Sequence, residues 1–534
     1  MGHSLIISCG TPSEIFALNA LIASLKDKNP AQQITLLTYD DGQTAAHSLP
    51  GIDQVRVIEK QKIKNFARNT IFSSGHAINL FWQNLTPVIQ QHWDEIYNFE
   101  ADIVPAAIAS MLTAKTKYGL QLNAEHNLSF SSNWALSDQF IYQGRHLLHR
   151  KDQIRLMANL ATYAVPPAVF VDPENQALAR EHFAALRHAP GHQDRRIVGI
   201  SIHDLPSALP DEDLIKLLEL ILDDDTLLPV LLSSKNAMDL ARLKAINQKF
   251  MNTIIAIQGH QAALAAAISE LDILITGGDD RFFLTAKHGR VIYLTTQTDF
   301  YRHGGSREED CIILARDKFS IELILTVLKH GRTELLTLAQ DQADSHIDWA
   351  SLYFPFTDEM GVYFQTAGTT PKASDFGLLI ARYILGKLLH LPITLAPRIF
   401  QANPEALSAH IQQERLHILE TTKTLLAALR SLLRLQDNTK MGQEFTMQLA
   451  DILAYVDEQH LAALCCTIFK NQIENLPLGG KDDNIRQIET LLYQLRDHLQ
   501  LALGVLRDLD DQLAQIKKDQ YRQKAKEHLA DVQG

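Results

Sequence analysis

The first hundred residues alternate between short apolar runs and segments with helical periodicity. Residues 5–8 form an apolar run that ends at a turn, residues 10–13, and later apolar positions recur every three or four residues. Those positions are Ile15, Leu18, Leu21, Ile22 and Leu25. The same alternation continues with strands predicted at 34–38, 55–58 and 95–99 and an alanine-rich helix at 103–114. Strands and helices at this spacing predict a parallel sheet with right-handed crossovers.

A second set of strands and helices begins near residue 170, where Pro166, Pro167 and Pro173 mark a linker. Its strands are predicted at 197–202, 227–232, 253–257, 271–275 and 291–294, and its helices include 211–222 and 261–270. The expected fold class is therefore α/β, with two Rossmann-like doubly wound lobes. Folds of this kind bind ligands in the cleft at the carboxyl ends of their strands.

The strand pattern stops near residue 372, and three long segments without internal breaks follow: 404–436, 441–470 and 483–530. In the last segment, apolar residues alternate by three and four in a heptad pattern of about four repeats. They are Ile485, Ile488, Leu492, Leu495, Leu499, Ala502, Leu506, Leu509, Leu513 and Ile516. This seam favours an intramolecular bundle, with a homo-oligomer or a protein partner held through residues 404–534 as the alternatives. The predicted domains are residues 1–170, 171–345 and an all-α extension, 346–534.

Composition and charge limit the classes of function that this protein can have. The chain has 534 residues, 46% of them hydrophobic and 21% charged, which is typical of a globular protein. A net charge of -12 argues against general nucleic-acid binding, which needs a basic surface. Four cysteines without a disulfide framework suit a reducing compartment. No export signal or membrane span is recognisable, so we expect a cytoplasmic protein, with peripheral contact at the inner membrane left open.

The turn after the first strand is the first candidate for chemistry. It contains only one glycine, Gly10, so it lacks the G-x-G-x-x-G pattern of a dinucleotide site. Gly10, Thr11 and Ser13 are candidate substrate-binding residues, and Glu14 is the candidate catalytic residue. The alternative is that Ser13 caps the following helix and Glu14 complements its dipole.

Two further candidate sites follow strands of the second lobe. Gly277, Gly278, Asp279, Asp280 and Arg281 come directly after the strand that ends near residue 275. Two glycines before a helix expose backbone N–H groups to a phosphate, and Arg281 adds a bidentate donor; a strand-to-helix turn with an aspartate cap is the alternative. Ser201 and His203 follow the first strand of this lobe, and Ser233 follows the next. The chain has no metal-binding or G-x-S-x-G motif, so neither a metal nor a cofactor is expected.

In this order and spacing, the segments resemble glycosyltransferase family 9, the heptosyltransferase-like enzymes of the GT-B fold, over residues 4–330. Glu14 falls where the family carries its catalytic aspartate. Further matching stretches are 93–97, 199–202, 209–220 and 258–286. The donor loop departs from the family: a glycine is absent after Asp279, and Phe283 or Leu284 stands in place of a histidine. A basic residue expected before Pro210 is also absent.

The resemblance implies metal-independent, inverting transfer from a nucleotide-diphosphate sugar, with Glu14 as general base and residues 277–281 around the diphosphate. It also implies an ADP-heptose-like donor and a glycolipid acceptor, as in lipopolysaccharide biosynthesis, or a protein acceptor. The departures favour two alternatives. One is a catalytically degenerate GT-B protein that acts as a binding or scaffold module through its helical extension, and the other is a nucleotide-binding sensor.

Overall fold

The computed structural model describes residues 2–68, 74–100, 102–123, 128–130, 140–142, 145–160, 169–202, 205–277, 289–297, 300, 307–341, 347–367, 373–395, 404–434, 439–457, 460–474, 476 and 481–533. The chain forms two compact units. The first unit contains Met1–Asn133, Leu148–Thr357 and Gly361–Thr369. The second contains Trp134–Leu147, Asp358–Met360 and Thr370–Gly534.

The first unit begins with a six-stranded sheet. Its strands are β1 His3–Ile7, β2 Gln33–Tyr39, β3 Gln54–Ile58, β4 Trp93–Asn98, β5 Ala114–Leu122 and β6 Leu128–Phe130. The order is β3-β2-β1-β4-β5-β6, and all neighbours pair in parallel except β6, which is antiparallel to β5. This is the order of a Rossmann-like sheet, so the prediction for the first lobe is confirmed.

Helices cover this sheet and follow the predicted periodicity. They are α1 Pro12–Ala17, α2 Asn19–Lys28, α3 Gln43–Ser48, α4 Lys60–Arg68, α5 Ser74–Ile89, α6 Ile103–Met111 and α7 Arg150–Met157, with a 3-10 turn at Asp40–Gly42. The first predicted helix is interrupted at Leu18, which ends α1 and precedes α2. Its five periodic apolar residues are nevertheless buried, none more than 4% exposed. The apolar stripe thus forms the contact with the sheet.

A second sheet of eight strands completes the first unit. Its strands are β9 Arg196–Ser201, β10 Leu227–Ser234, β11 Ile255–Gly259, β12 Ile273–Thr276, β13 Arg290–Thr295, β14 Cys311–Leu314, β15 Leu352–Asp358 and β16 Gly361–Thr366. The order is β11-β10-β9-β12-β13-β14-β15-β16. Strands β9 to β14 pair in parallel, and β15 is antiparallel to β14. The second doubly wound lobe is therefore also confirmed.

The boundary predicted at residue 345 does not match this sheet. The strands β15 and β16 lie within the region expected to be all-helical, yet they extend the second sheet at its edge. The register of Ile312 against Tyr353 and of Ile313 against Leu352 fixes β15 there. The apolar residues at these positions suit a strand near the edge of a sheet. Antiparallel pairing with β14 supplies the backbone hydrogen bonds of β15.

Helices on both faces close the core of the second lobe. They are α8 Pro173–His188, α9 Asp211–Leu222, α10 Ala237–Lys249, α11 Gln261–Ile268, α12 Ile321–Lys329 and α13 Arg332–Asp341, with a 3-10 turn at Trp349–Ser351. Helix α9 is an example of how these helices pack through one apolar face: Leu214, Leu217, Leu218 and Ile221 are all fully buried. Burial of each such side chain stabilises the fold by about 2 kcal/mol.

The second unit is mainly helical. Its helices are α14 Ala373–Leu388, α15 Pro404–Leu433, α16 Thr439–Ala454, α17 Leu461–Glu474 and α18 Lys481–Gln533, with a 3-10 turn at Tyr455–Asp457. A short hairpin from earlier in the chain, β7 Ile141–Tyr142 and β8 Arg145–His146, belongs to this unit. The helix predicted at 441–470 is in fact two helices. Leu461, at the start of the second, donates its N–H to the buried Glu414 of α15 at 2.7 Å, which caps a helix start that the periodicity did not reveal.

The heptad seam of α18 is covered within one chain. Its central residues, Leu492, Leu495, Leu499, Ala502, Leu506, Leu509 and Leu513, are each at most 2% exposed. Helices α14, α15 and α17 contact α18. Of the alternatives left open by the sequence, the structure therefore shows the intramolecular bundle for this stretch. Among the described helices, none is both long enough and apolar enough to cross a membrane.

Candidate functional site

Each Rossmann-like sheet has a point where its strand order reverses, and the candidate residues lie at these two points. In the first sheet, β1 pairs with both β2 and β4, so the reversal lies between β1 and β4. In the second sheet, β9 pairs with both β10 and β12, so it lies between β9 and β12. The carboxyl ends of the strands at such points leave a crevice that binds ligands in this fold class.

At the first point, Gly10 separates two carboxyl side chains. A Cβ atom on residue 10 would lie 2.2 Å from Oε2 of Glu14 and 3.0 Å from Oε1 of Glu100. Only a glycine therefore leaves room for both carboxyl groups in these positions. Glu14 comes from α1 and Glu100 follows β4, so the strand order brings together two acids that are far apart in the sequence.

The carboxylate of Glu14 also takes part in the cap of α1. Its Oε2 atom accepts the backbone N–H of Thr11 at 2.7 Å and the Thr11 hydroxyl at 3.2 Å. Thr11 is thus the N-cap residue, with Pro12 at the first helical position. The alternative that Ser13 caps this helix is wrong: Ser13 lies inside the first turn, because the helix begins two residues earlier than that interpretation needs. Thr11, the candidate substrate-binding residue, is exposed.

Glu100 has a different environment. Its Oε1 atom accepts the hydroxyl of Ser8 at 2.8 Å, and its backbone N–H donates to the side chain of Asn98 at 3.2 Å. Burial raises the pKa of the Glu100 carboxyl. The nearby charge of Glu14 also raises this pKa, whereas the Ser8 hydrogen bond and the charge of Arg150 lower it. A carboxyl group in such surroundings binds a proton more readily than one in water.

Arg150 supplies a positive charge to this edge of the sheet. Burial lowers the pKa of its guanidinium, and the charges of Glu100 and Glu14 oppose that shift. Its Nη1 donates to Gln153 at 3.0 Å, and its Nη2 lies 3.4 Å from the carbonyl oxygen of Phe99. The guanidinium of Arg150 therefore interacts electrostatically with both carboxyl groups.

The helix that carries Arg150 is fixed by an unusual buried acid. Every residue of α7 from Lys151 to Met157 is buried although most of them are polar. Asp152 accepts the backbone N–H of Val362 on β16 at 2.9 Å, and its other oxygen lies 3.6 Å from Nε of the equally buried Arg155. Gly361 has φ +108, and a Cβ there would lie 2.0 Å from Cγ of Asp152. These contacts hold α7, and with it Arg150, in one position.

A thiol at the same edge is not a nucleophile. Burial raises the pKa of Cys9 to about 12, and the charge of Glu100 acts in the same direction. The thiol is therefore neutral at physiological pH. Tyr39 neighbours Cys9, and Nζ of Lys60 lies 4.3 Å from the centre of the Tyr39 ring. The chemistry that this edge supports is thus acid–base chemistry by carboxyl groups.

The second reversal point carries Ser201, Ser233 and Gly277. Ser201 ends β9, Ser233 lies at the end of β10, and Gly277 directly follows β12. Both serine side chains are fully buried, and the Ser233 hydroxyl donates to the backbone oxygen of Ser234 at 3.0 Å. Gly277 is half-buried. His203, Gly278, Asp279, Asp280 and Arg281 lie outside the described residues.

Sequence reasoning did not single out Ser8, Glu100 and Arg150. Ser8 directly follows β1 and Glu100 lies two residues beyond β4. Polar residues just after adjacent parallel strands meet at one edge, so this rule could have found both. Arg150 lies at the site because of how α7 packs, and no local pattern in the sequence indicates that packing.

Several solved structures resemble this chain. No protein-family model and no curated protein matches the sequence. Among solved structures, a glycosyltransferase family 9 protein from Veillonella parvula is 14% identical, with 61% of this chain and 90% of that chain covered and a TM-score of 0.46. The E. coli heptosyltransferase WaaC with ADP is 13% identical, with 61% and 99% covered and a TM-score of 0.43.

A UDP-GlcNAc 2-epimerase from Neisseria meningitidis is also similar, at 12% identity, with 56% of this chain and 84% of that chain covered and a TM-score of 0.30. The predicted resemblance to heptosyltransferase-like proteins of the GT-B fold is found again among these structures, and the strand orders of the two sheets establish the doubly wound lobes by themselves. Similarity at this distance concerns the fold and assigns neither a donor nor an acceptor.

Proposed function

We propose that the protein is a metal-independent, inverting glycosyltransferase that moves a sugar from a nucleotide-diphosphate sugar to an acceptor hydroxyl. The observation that supports this most is the arrangement of Glu14, Glu100 and Arg150 at the reversal point of the first sheet. A carboxylate there accepts the proton of the acceptor hydroxyl as its oxygen attacks the sugar. The resemblance to family 9 assigns this role to Glu14.

The donor half of the proposal depends on the second lobe. Gly277 directly follows β12 at the reversal point, and we propose that residues 277–281 supply backbone N–H groups to the donor diphosphate, as glycine-rich turns before helices do. Stabilisation of the departing diphosphate by such N–H groups and by Arg281 speeds the transfer. By analogy with family 9, the donor is an ADP-heptose-like sugar and the acceptor is a surface glycolipid or a protein. We place the reaction in the cytoplasm, at the inner membrane where the acceptor is a glycolipid.

A binding or scaffold module without catalysis is the second candidate. Two observations favour it: Glu14 is engaged in the cap of its own helix, and the hydroxyl of Ser233 is buried and bonded to the backbone. The absent histidine and basic residue of the donor site point the same way. In this case the helices of the second unit are the binding surface.

A thermal-shift screen against ADP-, UDP- and GDP-sugars separates the two candidates. A ligand that binds the native state raises the melting temperature by mass action. We expect at least one sugar nucleotide to raise it and its nucleoside diphosphate to be released when an acceptor extract is added. No shift with any sugar nucleotide at millimolar concentration would favour the scaffold.

A further inference from the structure

The exposed large apolar side chains of helices α1 to α6 all lie on α5 and α6. These two helices pack on one face of the first sheet, where Leu85 of α5 and Ile108 of α6 share a hydrophobic cluster with Leu5 of β1. In α1, α2 and α3, which do not contribute to that cluster, no described residue exposes a large apolar side chain. The outer sides of α5 and α6 carry five such residues: Ile78, Trp82, Ile103, Val104 and Met111. Apolar exposure that is confined to one side of a lobe marks an interaction surface.

Basic residues lie next to these apolar side chains. Residues 60–93, which include α4 and α5, contain four lysine or arginine residues and no aspartate or glutamate, whereas the chain as a whole has a net charge of -12. Lys60 and Lys62 lie 3.6 Å and 3.3 Å from carboxylate oxygens at the start of α4. Lys64 and Arg68 are exposed, and within the described part of the chain neither of them forms an ion pair. Helix α4 contacts α5, so these two cations lie beside the apolar side chains.

We propose that α4, α5 and α6 form a docking surface for an anionic phospholipid bilayer. The five apolar side chains enter the interfacial region of the bilayer, and Lys64 and Arg68 contact lipid phosphates. An indole ring such as that of Trp82 is stable at this depth, because its ring is apolar and its N–H finds a polar partner among the headgroups. The unpaired cations require an anionic occupant, and the apolar side chains favour a bilayer over a nucleic acid or a soluble anion.

Helix α6 joins the docking surface to the candidate site. It begins at Ile103, three residues after Glu100, and the side chain of Asp102 accepts the N–H of Val104 at 3.1 Å, which fixes its first turn. Three residues of chain span at most about 11 Å, so a bilayer that contacts Ile103 lies within that distance of Glu100. A docked bilayer therefore presents glycolipid headgroups to the site. This consequence rests on the proposed function, whereas binding to a bilayer requires neither donor nor acceptor.

Sedimentation of the full chain with sucrose-loaded vesicles tests the role of the cations. Vesicles of phosphatidylcholine with one third phosphatidylglycerol are compared with vesicles of phosphatidylcholine alone. We expect binding to the anionic vesicles that weakens as salt is added, and much weaker binding to the neutral vesicles. Lys64→Gln combined with Arg68→Gln should lower the partition coefficient about 30-fold. The matched control, Lys244→Gln combined with Lys249→Gln, changes two exposed lysines of α10 and should leave binding unchanged.

The apolar contribution is tested at exposed positions, where a substitution leaves the core intact. Ile78 is 54% exposed, and Ile78→Ser should lower the partition coefficient about tenfold. Met238→Ser, at an exposed residue of α10, is the control and should have no effect. Brominated phosphatidylcholine quenches a tryptophan that enters the bilayer. Anionic vesicles that contain it should quench the fluorescence of the unmodified protein, and Trp82→Phe should remove most of this quenching while it keeps the binding.

Three results would overturn the inference. The absence of binding to anionic vesicles at low salt would exclude the bilayer as the occupant. Equal binding by the Lys64 and Arg68 double variant and its lysine control, or by Ile78→Ser and Met238→Ser, would place the contact on another surface. Loss of a dimer in Ile78→Ser, measured by light scattering without vesicles, together with unchanged vesicle binding, would assign the surface to a second copy of the chain.

Failure of the inference is distinguishable from failure of the proposed function. A protein that binds anionic vesicles through this surface, but releases no diphosphate from any sugar nucleotide, would support the docking surface and reject the glycosyltransferase. A protein that transfers sugar to a soluble acceptor but does not bind the vesicles would reject the docking surface alone.

Discussion

Oε2 of Glu14 lies 2.7 Å from the backbone nitrogen of Thr11, so a residue at the edge of the candidate site also caps the first helix. The hydroxyl of Thr11 approaches the same oxygen at 3.2 Å. A substitution of Glu14 therefore affects both the local stability of α1 and the charge of the site, and the two effects must be separated before a catalytic role is assigned.

Glu14→Ala should lower the free energy of unfolding by about 0.5–2 kcal/mol, because it leaves the Thr11 N–H without its side-chain acceptor. Glu14→Gln should cost much less, since an amide oxygen can replace the carboxylate in a capping box. Urea denaturation measures both values. Glu212→Ala is the matched control, an exposed acid in the first turn of α9. Equal losses in Glu14→Gln and Glu14→Ala would mean that the charge, not the cap, stabilises α1.

The raised pKa of Glu100 makes stability depend on pH in a defined direction. The native state binds the proton of Glu100 more tightly than the unfolded state, so its contribution to stability is present below the unfolded pKa of about 4.3 and is lost as pH rises through the folded pKa. Glu100→Gln removes this dependence. We therefore expect the variant to gain stability relative to the unmodified protein as the pH rises above about 4.3. Urea denaturation across this range checks it, and a difference that is constant or of opposite slope would contradict the raised pKa.

The donor loop of the second lobe can be tested by two substitutions. If residues 277–281 hold a diphosphate, Gly278→Val blocks the close approach of the ligand and Arg281→Ala removes a bidentate donor. Each should weaken the binding of the sugar nucleotide, measured by calorimetry, and leave the melting temperature of the free protein nearly unchanged. Lys249→Ala is the control, an exposed basic residue at the end of α10 in the same lobe. Unaltered affinity in both loop variants would place the donor elsewhere.

The seam of α18 should carry much of the stability of the second unit. Leu499 is fully buried, and Leu499→Ala should lower the free energy of unfolding by about 2–5 kcal/mol through lost burial and a cavity. Leu416 on α15 is 61% exposed, so Leu416→Ala is the matched control and should change stability by less than about 0.5 kcal/mol. Circular dichroism of both variants during denaturation measures this. A small effect at Leu499 would mean that the seam is not packed in solution as it is here.

Tyr142 links the early hairpin to the helices of the second unit. Its hydroxyl donates to the buried Glu414 at 2.7 Å and lies 3.0 Å from Nε2 of His410. Tyr142→Phe leaves these buried groups with one partner fewer, so we expect a loss of about 1–3 kcal/mol. Tyr493→Phe, at a residue that is 36% exposed on α18, should have little effect. Similar melting temperatures for both variants would show that the hairpin is held by its apolar contacts alone.

Hydrophobic periodicity predicted most of the elements because it reflects local geometry. The helix predicted at 211–222 has the bounds of α9, and β1 to β4 and β9 to β13 lie within a few residues of the predicted apolar runs, whereas β5, β6 and β14 to β16 were not predicted. A strand or helix must place its apolar residues on one face wherever it lies in the fold, so this pattern is readable without the rest of the chain. The same holds for the turn at Gly10, where the sequence itself marks the end of a strand.

The sequence by itself thus determined the two doubly wound lobes, the helical C-terminal region and the location of Glu14 and Gly277 after strands. Only the tertiary structure decided that Glu100 and Arg150 meet Glu14, that β15 and β16 extend the second sheet, that Thr11 and not Ser13 caps α1, and that one chain covers the seam of α18. Three of these four, the cap of α1 excepted, join residues that are distant along the chain. The energies of these three features come from strand pairing, burial and charge between residues that are far apart in the sequence. A local sequence pattern does not indicate which distant residue supplies each contact.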